Sequence, residues 1–321
     1  HSNELLSAGF FSLLTSPSQP WFVVSSQDED INNDYFAKVW MSEVSKIMAK
    51  EIQKPSTGFT TSLHEGYLSY GAFGNQIMFV TERKDMDSLL YCSLPLRECY
   101  FIENDEGFVN TLFRRYERTV LQLVERFGLD KVHEKVQKQY EQGKYNEKVK
   151  CVHVIAPNRF ASAFALSPTN FAYTSTYVDE DNKVVMDESG FHEQPFMAAR
   201  FFKLAWESYG RGPGSTALAD LKMLQEMVKT VLRGAQKMVD PPLMAPDEGF
   251  ISPIRATPGG INYYRSGSPK DDRIMPLITG GQPNIGLDLI HDTRTRSREV
   301  CYVAQLQLKQ GREMTATQVM T

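Results

Sequence analysis

The feature that most constrains this chain is a proline-free run at residues 215–239, STALADLKMLQEMVKTVLRGAQKMV. It is fenced by YGRGPG on one side and by Pro241-Pro242 on the other. On a helical wheel, Ala217, Leu221, Leu224, Met227, Val228, Val231, Leu232, Ala235 and Met238 fall on one face. Lys222, Glu226, Lys229, Arg233 and Lys237 fall within roughly 80° of one another on the other face. The pattern predicts one long amphipathic helix. The prolines stop it, because each lacks an amide donor and clashes with the preceding turn.

Gly210, Gly212 and Gly214 lead into this run and raise the question of a phosphate cradle. A P-loop needs a lysine and a Ser/Thr directly after its last glycine, whereas Gly214 is followed by Ser215-Thr216-Ala217 and the first lysine is Lys222. A dinucleotide turn needs a third glycine in G-x-G-x-x-G, and none stands at 215 or 217. Ser215 or Thr216 instead predicts a helix N-cap, with Asp220 in the first turn near the positive end of the helix dipole. The stretch is read as helix entry. A nucleotide-dependent enzyme using the turn 210–216 is the alternative, and ATP binding there would reveal it.

Upstream, short helices and strands alternate. Residues 34–52 set Phe36, Val39, Trp40, Val44, Ile47 and Met48 at helical spacing, which predicts a helix with that face buried. NQIMFVTER (75–83), RECYFIEND (97–105) and KCVHVIAP (150–157) have the β-branched and aromatic content of strands. Residues 108–127 fit a helix throughout, yet Thr119 is placed to cap a shorter helix after a strand. The strand-then-helix version, ended by Gly128, is preferred. A charged helix is expected at 130–142. Residues 171–190 read as a hairpin turning at DEDN, where Asp179, Glu180 and Asp181 are expected to be solvated. The region to about residue 210 is thus one α+β unit. Beyond the long helix, 250–283 is dense in Pro and Gly and reads as a small β unit inserted between helices. A second helix follows Pro283, its apolar residues scattered around the wheel. In it Arg294, Arg296 and Arg298 are offset by Asp288, Asp292 and Glu299.

A chain of 321 residues predicts two or three structural units, and 41% hydrophobic with 23% charged residues permits a sizeable core. The net charge of −4 argues against a dedicated nucleic-acid coat but leaves room for a local basic stripe. No apolar run approaches the roughly 18 residues needed to span a bilayer. Cys92, Cys99, Cys151 and Cys301 match no zinc spacing and read as reduced thiols. His64, His133, His153, His192 and His291 form no metal motif, and no G-x-S-x-G elbow is present. Catalytic residues, metal and cofactor are all expected to be absent. The basic stripe by itself is an ordinary solvent face in which Glu226 can pair with neighbouring lysines. The chain opens at His1-Ser2-Asn3 and closes at TATQVMT within a helix-compatible run, so a longer parent chain is expected.

Several long segments, in order, resemble the head-to-tail connecting, or portal, proteins of short-tailed bacteriophages. LLSAGFFSLLTSPSQPWF (5–22) is similar to a family segment ending S-G-L-T-S-P-x-x-P-W-F. GYLSYGAFGNQIMFV (66–80), GFVNTLFRRYERTVLQLVERFG (107–128) and VHVIAPN (152–158) follow in the expected places. The densest likeness is YGRGPGSTALADLKMLQEMVKTVLRGAQKMVDPPLMAPDEGF (209–250), continued by PGGINYYRSG (258–267) and REMTATQVM (312–320). Gln225 departs from the asparagine the family often carries.

The resemblance implies a non-enzymatic α+β portal fold: a wing at 1–214, stem helices at 215–239 and 284–304, and a clip at 240–283. The channel-loop region and the start of a crown-ward helix would occupy 305–321, the crown itself being absent. It also implies a homo-oligomeric ring, usually dodecameric, at one capsid vertex of the virion, assembled in the host cytoplasm. Its partners would be the terminase large subunit, a tail adaptor, the major capsid and scaffolding proteins, and double-stranded DNA passing non-specifically. Lys222, Lys229, Arg233 and Lys237 become candidates for a DNA-channel or inter-subunit face, and Lys309, Gln310 and Arg312 for the channel loop. Phe250, Ile251, Ile254, Tyr263, Tyr264 and Arg265 become candidates for the terminase and tail-adaptor dock. A tail or adaptor structural protein with similar β modules is the other reading.

Overall fold

The computed structural model describes residues 1–17, 19–83, 88–162, 167–240, 243–244, 275–276 and 283–306. In chain order the elements begin with α1 (Ser2–Leu14), α2 (Glu29–Asn33), α3 (Tyr35–Ile52) and α4 (Phe59–Phe73). The strands β1 (Asn75–Glu82), β2 (Leu89–Leu94), β3 (Cys99–Glu103) and β4 (Val109–Thr119) follow. Then come α5 (Val120–Phe127), α6 (Glu134–Glu141), β5 (Lys148–Pro157), β6 (Tyr173–Asp179), β7 (Val184–Phe191) and β8 (Phe196–Arg200). The last are α7 (Pro213–Thr216), α8 (Leu218–Val239), β9 (Leu243–Met244), β10 (Met275–Pro276), α9 (Pro283–Val300) and α10 (Val303–Leu306). The chain divides into two compact units. One holds residues 1–216 and regains the chain from Val300, and the other holds 217–299.

The first unit is α+β with two antiparallel sheets. One has the order β2-β1-β8 and the other is the meander β3-β4-β5-β6-β7. Strand alternation turns Ile77, Phe79, Phe101, Leu112, Ile155 and Phe196 into one core. A second core lies under α5 and α6, where Val120, Leu123 and Val136 meet Tyr116, Cys151 and Tyr177. Leu63 and Tyr67 of α4 pack on Met78 and Tyr91.

The strand-then-helix reading of 108–127 holds. Thr119 accepts from the Gln122 amide, and the Gln122 side chain accepts from the Thr119 amide, so two orphan donors are satisfied reciprocally. The hairpin also holds, but Asp179 is not solvated. It is only 1% exposed and accepts from the amide of Asn182 (3.0 Å) and from its Nδ2 (2.8 Å), folding the turn around a buried carboxylate. Glu180 accepts from Arg115 instead. The helix expected at 130–142 starts later, at Glu134, because His133 caps it through Nδ1.

Helix α3 forms where the spacing places it, yet the apolar face expected to be buried is mostly open. Phe36 is 79% and Trp40 65% exposed, Val39, Ile47 and Met48 are exposed too, and the residues it does bury are Met41 and Ser45. Periodicity identified the helix. The side that faces the body is instead fixed by local contacts, in which the Ser45 hydroxyl accepts from the Val24 amide and donates to the Met41 carbonyl.

In the second unit α8 and α9 flank the two-residue strand pair β9–β10, in which Met275 pairs with Met244. The N-cap expected at Ser215 or Thr216 is not used. Those residues are already helical in α7, the Thr216 hydroxyl donates back to the Gly212 carbonyl, and α8 starts after Ala217 with no side-chain cap. Helix α9 ends at Val300, short of the helix read through residue 304. Tyr302 turns the chain with φ of 56° before α10.

Candidate helix-pair surface and its glycine-rich entry

Two backbone segments of the first unit lie directly against each other at the entry to α8. A methyl group on Gly210 would stand 2.6 Å from the Gly74 carbonyl oxygen, one on Gly212 2.6 Å from the Gly74 amide nitrogen, and one on Gly214 2.3 Å from the Ala72 carbonyl oxygen. Gly74 itself has φ of 77°, which L side chains rarely adopt, and a methyl there would meet the Arg211 backbone at 2.2 Å. The glycines are therefore required by contact between main chains.

Asn75 locks the contact. It accepts from the Gly210 amide (2.7 Å) and donates through Nδ2 to the carbonyls of Gly210 (2.9 Å) and Phe73 (3.0 Å). Phe202 and Arg211 exchange both backbone hydrogen bonds alongside. Arg200 ion-pairs with Glu103 and donates to the carbonyls of Gly107 and Ser208, while Lys203 reaches the same carboxylate at 2.6 Å.

The helix that follows is built differently. Val231 of α8 would touch a methyl on Gly286 of α9 at 2.6 Å, and the Thr293 hydroxyl lies 4.0 Å from the Met227 sulfur. Contacts that advance along α9 as they recede along α8 make the pair antiparallel. A shallow groove between them is walled by Met223, Met227, Thr230, Val231, Gly286 and Leu289. The α9 residues that meet α8 include the small Gly286 and Thr293 and the larger Leu289, which walls the groove. Thr293 and Ser297 are buried, and their hydroxyls donate to the carbonyls of Leu289 (2.8 Å) and Thr293 (2.9 Å), so burial leaves no donor unpaired. No residue of α8 is fully buried.

All four cations of the stripe, Lys222, Lys229, Arg233 and Lys237, are exposed. Lys229 reaches both Glu226 oxygens at 3.2 Å, and the other three make no ion pair among the described residues. Phe250, Ile251, Ile254, Tyr263, Tyr264 and Arg265, like Lys309, Gln310 and Arg312, lie outside the described residues. Sequence reasoning did not single out Gly286 or Asn75. A lone glycine next to a β-branched neighbour on a facing helix, and an Asn directly after a turn glycine, were the only available signals.

Burial shifts several titratable groups of the interior. Burial pushes the thiols of Cys99 and Cys151 up to about 12, which removes the thiolate character a nucleophile needs. Burial, assisted by Arg126 and Arg114, lowers His153 to about 3. The ring stacks on Tyr177 at 3.8 Å and shares a hydrogen bond with Ser175 at 2.9 Å. Among the described residues no group of three or more His, Cys, Asp or Glu side chains could hold a metal ion, and no helix is long and apolar enough to cross a membrane.

A two-unit α+β chain whose long helices leave charged and apolar faces open has the character of an assembly component. The profile of the bacteriophage head to tail connecting protein family matches residues 1–321, and the chain belongs to that family. Two relatives are similar over nearly all of it. The portal protein of Salmonella phage epsilon15 is 31% identical over 94% of this chain, and the probable portal protein of Bordetella phage BPP-1 is 29% identical over 98%. The aligned parts make up 54% and 57% of those two proteins, so the chain spans a little over half their length.

Proposed function

We propose that this chain carries the wing, stem and clip of a phage portal. The portal would be a ring at one capsid vertex, through which a separate terminase drives DNA in and from which DNA leaves into the tail. The observation that carries this reading is the family match along all 321 residues. The helix pair α8 and α9, in which α8 buries none of its residues fully, supports it, since stem helices in a ring must keep faces free for neighbours. The role is structural rather than catalytic. The ring is a homo-oligomer, a dodecamer by family resemblance, and its subunit contacts are heterologous, so they must close by rotation. Residues 1–214 serve as wing, 215–239 and 284–304 as stem, 240–283 as the clip that docks terminase and tail adaptor, and 305–321 as the channel-loop region.

The modest net charge of −4 suits a conduit along which DNA slides, because tight phosphate contacts would hold it in place. The stripe Lys222, Lys229, Arg233 and Lys237 serves either the channel or the contact between subunits. Electron microscopy of the purified full-length protein tests the proposal. Rings with a central hole of duplex width are expected, whereas monodisperse monomers, or calorimetric ATP binding at 210–216, would overturn it.

A further inference from the structure

Three guanidinium groups of the first unit gather on two buried tyrosine rings. Arg114, Tyr116 and Arg118 alternate along β4 and so share the face covered by α5. Across the strands, Arg114 stands beside His153, and His153 beside Tyr177. The Arg114 and Arg118 Cζ atoms lie 4.6 and 5.3 Å from the Tyr116 ring centre. That of Arg126, on α5, lies 4.6 Å from the Tyr177 ring centre. Burial raises the Cys92 thiol, and Arg114, Arg126 and Arg118 all pull it back down, with Glu65 the carboxylate acting against them. The three cations are thus within electrostatic reach of one point. Neighbouring cations are paired, Arg115 with Glu180, Lys131 with Asp187 and Lys148 with Glu117. Arg114 is held by Glu98 through Nε and Nη2. Arg126 spends one N–H on the Tyr177 hydroxyl at 2.6 Å, and the Arg118 side chain makes no hydrogen bond or ion pair among the described residues. Neither has a carboxylate partner there.

We propose that Arg114, Arg118 and Arg126 form a binding site for a phosphate group, set on the platform of Tyr116 and Tyr177. A guanidinium stacked on a ring keeps its planar N–H edge free, and that fork matches two oxygens of a tetrahedral oxyanion. Arg126 is exposed and Arg118 partly so, which leaves the site open to solvent, while Arg114 is mostly covered. Glu98 answers one of the three charges. Two unpaired guanidiniums near each other cost Coulomb energy, and a phosphate dianion removes that cost. The site lies wholly in the first unit and does not depend on the ring reading.

Calorimetric titration of the full-length protein with inorganic phosphate, at neutral pH and fixed ionic strength, tests the site. One phosphate is expected to bind per subunit. Arg118→Gln combined with Arg126→Gln is expected to weaken that binding about tenfold or more. Melts in phosphate-free buffer check that the double variant folds, and a midpoint near wild type is expected because neither cation has a carboxylate to lose. If the double variant melts early, Arg118→Gln alone, which breaks no side-chain hydrogen bond, should still weaken binding. Arg115→Gln, on the opposite face of β4 and already paired with Glu180, should leave the affinity within about twofold. Phosphate that does not bind, or that binds the folded Arg118 and Arg126 variants as tightly as wild type, overturns the site. So does an equal loss in Arg115→Gln, the mark of a diffuse charge effect. A short DNA duplex added to the phosphate complex identifies the source of the ligand. Displacement of phosphate assigns the site to a nucleic-acid backbone, and retention assigns it to free phosphate; either result supports the site.

Discussion

The two units bury their residues by different rules. In the first, β-strand alternation and backbone-to-backbone contact fill cores in which Ile77, Val120, Cys151, Ile155 and Phe196 are essentially inaccessible. In the second, a 22-residue helix buries none of its residues fully and meets α9 through contacts such as Val231 against Gly286. The first unit thus has cores of its own, although α3 leaves Phe36 and Trp40 open. The described helices of the second leave most of their surface open to solvent. The difference teaches that one sequence can assign dense and sparse burial to adjoining segments.

Substitutions in the two units should separate accordingly. The largest effect is expected at Gly74→Ala, which puts a methyl into the Arg211 backbone from a left-handed φ. A loss of at least about 3 kcal/mol should appear in denaturant melts of the first unit.

His153 tests the same core through pH. Its folded pKa of about 3 lies below the ordinary histidine value of 6.5, so the unfolded chain takes up the proton first. Its contribution is complete above 6.5 and drains away as pH falls toward 3, on the order of a few kcal/mol. His153→Phe, which keeps a ring against Tyr177, should flatten that acid limb in melts recorded across the window. A limb of unchanged slope would locate the sensitivity elsewhere.

Asn75→Ala strips the buried partners from Gly210 and should cost about 2–3 kcal/mol, with Asn75→Asp only partly restoring them. Thr119→Ala removes half of the capping box and should cost about 1 kcal/mol by the same melts.

The smallest effect belongs to the second unit. Leu232→Ala should change subunit stability by less than about 0.5 kcal/mol, because the side chain is already open to solvent. Its consequence should be confined to assembly. A large loss of subunit stability there would erase the distinction between the units.

Much of this was legible in the residues. The strand-to-helix change at Thr119, the hairpin at 179–184 and the long helix ended by Pro241-Pro242 all depend on signals within a few residues of each other. Capping, turn chemistry and periodicity are local interactions, so the string of residues contains them. The burial of α3 was misread for the converse reason. An apolar stripe records what a helix can bury, and only the neighbours present decide what it does bury. Asp179 was read as solvated because its identity fits a turn, while its inaccessibility depends on how the strands stack around that turn.

By itself the sequence determined the order and kind of most elements, the mismatch of YGRGPGST to the known phosphate-binding motifs, the two-faced character of α8 and the family. The tertiary structure decided why the glycines are there, which face of α3 points inward, and that α8 and α9 run antiparallel. Those facts depend on atoms far apart in the chain, such as Gly74 against Gly212 or Val231 against Gly286. Steric exclusion between such atoms acts only once folding has brought them together.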